Sequence, residues 1–449
     1  MPSRLVNLLH TSNWKFTPYQ ILTAGFAALI LTGTFLLTMP AASANGTGLN
    51  FVDALFTATS ASCVIGLCVV NTATYFSTFG HLVIITLIQI GGVGIITMAV
   101  LFSIIVHKKI LLRERLIMQE ALNQLTLAGI IRLTKYICYA TLGVEFLGGT
   151  LLAAIWYGEY GLKGIYFGYW HAVSAFCNAG FALFEDSMMG YADHFAVNLV
   201  LAALIILGGI GFNVYLDIWH RRKFDRLSLH AKAVIVTTLI LIVIGAVGFF
   251  LLEFQNMKTL GSLSMKGKIL ASWFQSVSAR TTGFNSVSVA GLTDATLFLL
   301  IALMFIGAAP TSTGGGIKTT TAAVMFALIS SRVTGKEHVE LFRRKIPQEI
   351  VYKAFAVFVI SVFWVGFVTM MLTITENAPF LKLLFEVTSA FGTTGFSVDL
   401  TPTLTTAGKF WIILTMFSGR VGILTLVLSL TLRNRPDLIS YPEEKLIIG

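Results

Sequence analysis

A segment that starts on an aromatic residue and reaches a glycine ten positions later occurs four times in this chain. The copies are Phe56 to Leu67 (FTATSASCVIGL), Trp170 to Phe181 (WHAVSAFCNAGF), Trp273 to Phe284 (WFQSVSARTTGF) and Phe385 to Phe396 (FEVTSAFGTTGF). Their glycines are Gly66, Gly180, Gly283 and Gly395. A fourfold internal repeat constrains the architecture before any single residue is given a role. Lying between long apolar runs, the four segments read as re-entrant pore loops around one axis, because non-helical backbone at membrane depth survives only where it is buried in protein or lines a water-filled cavity.

Composition agrees. With 56% hydrophobic residues, 12% charged residues and a mean hydropathy of +0.82, the chain carries more apolar surface than a soluble core of 449 residues can bury. Its net charge of +10 resides in short loops between apolar runs, which sets topology and gives no reason to expect a nucleic-acid partner. The lipid bilayer is the expected surroundings. Cys63, Cys68, Cys138 and Cys177 lack zinc-ligand spacing and read as small apolar fillers. Arg4, Lys15 and Ala42-Ser43-Ala44 imitate a secretory signal, but the apolar run between them is too long and reads as a retained span.

Eight runs are long enough to cross a hydrocarbon core of about 30 Å as helices. They are 17-40, 79-106, 132-157, 194-219, 229-254, 293-330, 349-375 and 407-432. The expected fold is therefore an all-α integral membrane protein, with eight transmembrane helices arranged as four helix–pore-loop–helix repeats around one central ion pore. The repeats are 17-106, 107-219, 220-330 and 331-432, flanked by a cytoplasmic segment 1-16 and a cytoplasmic tail 433-449. Lysine and arginine set the orientation. Loops joining one repeat to the next carry Lys108, Lys109, Arg113 and Arg115, then Arg221, Arg222, Lys223 and Arg226, then Arg332, Lys336, Arg343, Arg344 and Lys345. The glycine-loop side is poorer, its richest stretch holding Lys258, Lys266 and Lys268. Both termini are expected in the cytoplasm.

Each repeat is expected to descend as a short helix from its aromatic residue and return as an extended strand through its glycine. Such a helix points its negative end at the pore centre and favours a cation there. The residues before the glycines differ: Val64 and Ile65, Asn178 and Ala179, Thr281 and Thr282, Thr393 and Thr394. Coordination by backbone carbonyls tolerates that variety, whereas coordination by side chains would not. No carboxylate ring occurs at these positions, which argues against a calcium-type filter.

A second repeated feature follows in each unit: Gly91-Gly92-Val93-Gly94, Gly208-Gly209-Ile210-Gly211, Gly314-Gly315-Gly316-Ile317 and Gly419-Arg420-Val421-Gly422. The first two copies read as close-packing positions on continuous helices. The third differs, because Pro310 and three glycines in Pro310-Thr311-Ser312-Thr313-Gly314-Gly315-Gly316 break a helix in mid-membrane. That loop is a candidate gate, or else a packing irregularity. Arg420 stands where the other copies have Gly92, Gly209 and Gly315, and an arginine at this depth faces protein or water. It reads as a barrier to cations, as a buried pair with a carboxylate or with carbonyls of the broken third helix, or as both together. Lys318 could control the gate or snorkel to the surface, and Arg280 is expected to brace its loop from behind, against Glu386 or Asp399.

These residues resemble the Trk/Ktr/HKT superfamily of potassium transporters. The resemblance rests on ARTTGF at 279-284, FGTTGF at 391-396, APTSTGGGIKT at 309-319 and SGRVGIL at 418-424, and covers nearly the whole chain. Eight spans without an extra N-terminal pair look most like the bacterial KtrB-type membrane subunit. The resemblance implies a K+ selectivity filter at Gly66, Gly180, Gly283 and Gly395, where glycine in the first repeat goes with potassium permeation and serine with sodium selectivity in plant relatives. It further implies an intramembrane gating loop at Gly314 to Gly316 with a pore-facing Arg420. It implies a homodimer on a cytosolic ring of RCK-domain, KtrA-like subunits that bind ATP or ADP, and transport often stimulated by Na+. No cofactor is expected on this chain, since no nucleotide motif occurs in a soluble segment.

Two other classes compete. An alternating-access cation symporter would use inverted halves around one midplane site, whereas these four units share one orientation. An intramembrane enzyme would need a base or metal at His171 or His194, and neither lies in an HExxH-type pattern. No enzymatic activity is expected.

Overall fold

The computed structural model describes residues 17–94, 97–98, 112–121 and 130–430. The expected terminal segments 1-16 and 433-449, with Lys108 and Lys109, lie outside the described residues.

The chain forms four units of one plan. In the first, α1 (Pro18–Thr38) is the outer helix, α2 (Phe51–Ser62) the short helix before the glycine loop, and α3 (Thr78–Val93) the inner helix. After α4 (Leu112–Ala121) in the joining segment, the second unit has α5 (Ile130–Tyr160), α6 (Leu162–Cys177), α7 (Phe195–Ile210) and α8 (Phe212–Arg221). The third has α9 (Leu229–Glu253), α10 (Met265–Ser278), α11 (Asp294–Phe305) and α12 (Thr319–Val333). A two-residue hairpin, β1 (Glu340–Leu341) with β2 (Arg344–Lys345), leads to the fourth: α13 (Gln348–Thr375), α14 (Phe380–Gly392), α15 (Thr406–Val421) and α16 (Ile423–Leu430).

Local chemistry explains the helix starts. Thr17 and Gln20 form a reciprocal capping box ahead of Pro18. Asn50, Ser77, Ser228, Ser264, Thr293 and Thr405 each accept a backbone N–H from the turn they open. The short helices begin before the repeated aromatics, which fall inside them.

The outer helices face lipid. Phe35, Phe146 and Phe363 are 65%, 65% and 73% exposed, an arrangement water would penalise and a bilayer rewards. Hydroxyls within the spans bond their own helix four residues back, as Thr34 does to Ile30, Thr134 to Ile130, Ser361 to Val357 and Thr369 to Val365.

Among the described residues, four helices are long and apolar enough to cross a membrane unbroken: Tyr19–Thr38, Ile130–Tyr160, Leu229–Glu253 and Gln348–Thr375. These are the outer helices. Of the four inner runs, three contradict the expectation of continuous helices at 79-106, 194-219 and 407-432. Each stops at the last glycine of its motif, Gly94, Gly211 or Gly422, at φ 96°, 92° and 91°. Only glycine adopts that conformation cheaply, and a helix cannot continue through it. Beyond Gly211 the chain turns by 92°. The third run breaks over 306-318, as its proline and glycines dictate.

The equivalence drawn from sequence for the third copy also changes. Counted from the helix starts Thr78, Phe195, Asp294 and Thr406, the same number of residues leads to Gly91, Gly208, Gly307 and Gly419. Ala308, rather than Gly315, therefore corresponds to Gly92, Gly209 and Arg420. Residues 310-316 are extra chain inserted at the break.

Units connect in cyclic order. Each inner helix packs on the short helix of the next unit: α3 on α6, α7 on α10, α11 on α14 and α15 on α2. At the closing seam Lys409 Nζ lies 2.6 Å from Asp53 Oδ1, joining the fourth inner helix to the first turn of α2, with both side chains largely buried. Lys409→Met is expected to cost about 3 kcal/mol by stranding Asp53, read as a lower unfolding temperature in detergent. The Asp53→Asn/Lys409→Met double variant should lose less than the two single losses combined.

Candidate functional site

The four glycines form one closed ring. A methyl group placed on Gly66 would strike the carbonyl oxygen of Ala179, on Gly180 that of Thr282, on Gly283 that of Thr394, and on Gly395 that of Ile65. The carbonyl preceding each glycine thus abuts the glycine of the preceding unit, and the fourth unit returns to the first. Each ring glycine also has a positive φ, between 70° and 95°. A side chain is therefore excluded twice, by backbone conformation and by space. Behind the ring, Leu67, Phe181, Phe284 and Phe396 are fully buried.

Three of the four turns into the ring share one design. Val64, Asn178 and Thr393 sit in the left-handed region at φ 60°, 62° and 53°. Their N–H groups bond Ala61, Ala175 and Ala390, while the next N–H groups, of Ile65, Ala179 and Thr394, bond Ser60, Ser174 and Ser389. This is a Schellman closure. The same serines pin the returning strand: Ser60 and Ser389 Oγ accept from Gly66 and Gly395 N–H at 3.1 and 3.0 Å, and Ser174 Oγ donates to Phe181 O at 2.8 Å. The third copy has Val277 at that place, and Thr281 keeps a negative φ. There the N–H groups of Thr282 and Gly283 both turn to Ser278 O. Of the twelve sequence-predicted residues, Ile65 and Gly66, Ala179 and Gly180, Thr282 and Gly283, and Thr394 and Gly395 thus meet in one ring, while Val64, Asn178, Thr281 and Thr393 stand in the turns one residue before it.

The predicted gate residues lie directly against this ring. Thr313 Oγ1 is 2.7 Å from the Asn178 side-chain amide, and Gly315 N–H donates to Thr393 Oγ1 at 2.7 Å. Backbone bonds from Ala309 to Gly209, Thr313 to Gly208 and Gly316 to Gly419 fasten the loop to the second and fourth inner helices, and Thr311 O accepts from Phe212 N–H. Ser312 Oγ donates to Ala309 O at 2.6 Å. Arg420 reaches across: one guanidinium nitrogen donates to Thr313 O, the other to the carbonyls of Gly91 and Gly92. The carbonyl pairing expected for Arg420 is present, and among the described residues no carboxylate takes part. Lys318 Nζ donates to Gly314 O at 2.7 Å, so it braces the loop. On the other side of the loop lies a cavity of about 430 Å³, lined by Ser312, Gly314, Lys318 and Arg420 and by none of the ring residues.

A family model described as TrkH, cation transport protein, matches residues 10–437. This chain belongs to that family. Ktr system potassium uptake protein B of Bacillus subtilis is 44% identical over 436 residues, covering 97% of each chain. Potassium/sodium uptake protein NtpJ of Enterococcus hirae is 39% identical, over 97% of this chain and 98% of its own. The crystal structure of the potassium transporter TrkH from Vibrio parahaemolyticus superposes with a TM-score of 0.75 at 19% identity, covering 94% of this chain and 86% of that one, and so shares its fold. The TrkH family is one of membrane transporters rather than enzymes, and this member is a multi-pass membrane protein.

A further expectation fails in this TrkH-family chain. Arg280 does not pair with Glu386 or Asp399: its guanidinium donates to Gly307 O at 3.3 Å. Glu386 is occupied instead by the hydroxyls of Ser397 and Thr401. His171 is a packing residue, with Nδ1 on Phe167 O at 2.7 Å and Nε2 accepting from Leu183 N–H at 3.1 Å. Sequence reasoning passed over two buried carboxylates. Glu253 ends α9 and accepts from Asn256, Thr259, Thr293 and Thr296, which pins the third outer helix to its inner partner. Glu145, inside the span α5, meets Gln89 at 3.1 Å and Cys177 at 3.7 Å behind the second turn. A lone carboxylate within an apolar run was the available signal for Glu145.

Gly208 and Gly209 separate the two reasons for a small residue. A methyl on Gly208 would strike Phe176 O, whereas on Gly209 its nearest neighbours are 3.9 Å away. Gly208→Ala should therefore destabilise the protein by about 2 kcal/mol, whereas Gly209→Ala, on helical backbone with open space, should be neutral or stabilise it by up to about 1 kcal/mol, measured as thermal unfolding of the purified variants.

Proposed function

We propose that this chain is the ion-translocating subunit of a potassium uptake system, with K+ passing through the glycine ring. The observation that supports this reading is the closed ring itself: four backbone segments abut one another with no room for a Cβ on any of the four glycines. Ile65, Ala179, Thr282 and Thr394 have nothing in common but their carbonyls, and carbonyls can replace the hydration shell of K+. The helices α2, α6, α10 and α14 end immediately before the ring, so their negative ends support a cation there. Relatives named as potassium uptake proteins match along nearly their full length.

In this reading residues 311-316 are the gate, and Arg420 adds an electrostatic barrier where it spans from Thr313 to Gly91 and Gly92. Withdrawal of the loop opens the way from ring to cavity. The basic joining loops and both termini face the cytoplasm, where a KtrA-like ring of RCK-domain subunits binds ATP or ADP and drives the loop. Two copies of the chain form a homodimer, each with its own pore. Na+ stimulates transport, a proposal in keeping with a relative named for both potassium and sodium uptake.

Two measurements test this proposal. Purified protein in liposomes should pass K+ in preference to Na+, and Gly66→Ser, whose added Cβ displaces Ala179 O, should cut that preference roughly tenfold, equal to about 1.4 kcal/mol. Absence of K+-preferring flux, with or without the cytosolic ring, would refute the reading. Gly315→Ala forces a methyl to within 2.5 Å of Thr393 Cγ2 in the closed loop, and Arg420→Gln removes the cation. Both should raise K+ flux severalfold; unchanged flux in both would remove the gate.

A further inference from the structure

We infer that Asn178 is a selectivity-determining residue that joins the loop and the ring into one switch, so that the ion preference of the pore depends on whether the loop is closed. The inference rests on the pore reading above.

The residues two before the ring glycines are Val64, Asn178, Thr281 and Thr393. Three consecutive loop residues meet three of them in order. Thr313 hydroxyl meets the Asn178 amide at 2.7 Å, a methyl on Gly314 would lie 3.0 Å from Thr281 Cγ2, and Gly315 N–H bonds Thr393 Oγ1 at 2.7 Å. Val64 offers no polar group, and on its unit Arg420 contacts Gly91 and Gly92 instead. The closed loop is thus fitted to the ring residue by residue.

Asn178 holds the centre of this fit. It is fully buried, and its left-handed backbone aims the side chain at the neighbouring unit. Oriented so that both ends of the amide are satisfied, its nitrogen donates to Thr281 Oγ1, Thr282 Oγ1 and Ile205 O at 2.9, 2.7 and 3.3 Å, and its oxygen accepts from Thr313 Oγ1 and Gly209 N–H at 2.7 and 3.3 Å. One amide therefore serves two units of the ring and the loop beneath them.

Departure of the loop removes Thr313 from this amide and Gly315 N–H from Thr393. The amide oxygen then keeps only the 3.3 Å bond from Gly209 N–H, and because a buried acceptor that loses its shorter bond is left under-satisfied, the Asn178 side chain shifts toward the partner that remains. Thr281 and Thr282 are held by that same amide, and Thr282 O is the carbonyl that abuts Gly180. Reorientation therefore moves a ring carbonyl. Because discrimination between K+ and Na+ depends on where such oxygens stand, closed-loop and open-loop rings differ in preference.

The test is the ratio of K+ to Na+ affinity of purified protein without flux, where the loop is closed, read from the stabilisation each ion gives against thermal unfolding and compared among Asn178→Ala, Thr313→Val, Thr313→Ser and the Asn178→Ala/Thr313→Val double variant. Asn178→Ala and Thr313→Val should each lower the ratio by roughly fivefold, the scale of one lost buried hydrogen bond, while Thr313→Ser keeps the hydroxyl and the wild-type ratio. The double variant should fall no further than the worse single one, since both sever the same link. Additive losses, or an unchanged ratio in both single variants, would overturn the inference. Should Asn178→Ala not fold, Thr393→Val against Thr393→Ser applies the same comparison to the second link, and equal ratios there would overturn it. A wild type without K+ preference refutes the pore itself; a selective wild type with an indifferent Asn178→Ala refutes only the coupling.

Discussion

Contact between a backbone carbonyl of one unit and the Cα of a glycine in the preceding one is the constraint on which this molecule depends. Four such contacts close a ring, and none leaves room for a Cβ. Everything around the ring serves to hold backbone at that separation. The Schellman closures aim the strand, the buried serines pin it, and Leu67, Phe181, Phe284 and Phe396 fill the space behind it. At larger scale each inner helix leans on the short helix of the next unit, and the Asp53–Lys409 pair joins the last unit to the first. The third unit reaches the same ring by a different turn, and with Val277 where the others have serine it lacks the hydroxyl that pins the returning strand.

Broken helices in a membrane create a second problem, since each break strands carbonyls that water cannot reach. Three cations answer it here. Arg420 takes the carbonyls of Gly91 and Gly92 at the first break and of Thr313 in the loop, Arg280 takes Gly307 at the third break, and Lys318 takes Gly314. Among the described residues none of the three forms an ion pair with a carboxylate. A guanidinium bonded only to carbonyls keeps its positive field, which is what a barrier to cations requires. One side chain thus completes the hydrogen bonding of a break and supplies charge beneath the ring. The extra residues 310-316 exist because the third inner helix breaks earliest, after Phe305, and needs chain to reach α12.

The fourfold repeat, the membrane class and the four glycines that meet were legible in the chain, because each is a matter of residue type recurring at fixed spacing, and the third break and Arg420 stood out as departures from that pattern. Glycine that cannot be replaced, proline that breaks a helix and arginine out of place in an apolar run carry their meaning with them. The breaks at Gly94, Gly211 and Gly422 were not legible, since a glycine pair reads equally as a packing face, and only backbone conformation distinguishes the two. The register of the third inner helix was missed for a related reason: three glycines at 314-316 resemble the motif better than Gly307-Ala308-Ala309 does, although helix length selects the latter. Partners across the molecule were beyond reach. Arg280 beside Gly307, Glu386 beside Thr401 and Asn178 beside Thr313 are pairings of distant residues, decided by how four units close on one another. Sequence by itself determined that four glycines must share an axis, because nothing else explains their recurrence in an apolar chain. Only the tertiary structure decided which carbonyl each glycine meets and which hydroxyl holds the loop, because those contacts form between units that meet only when the ring closes.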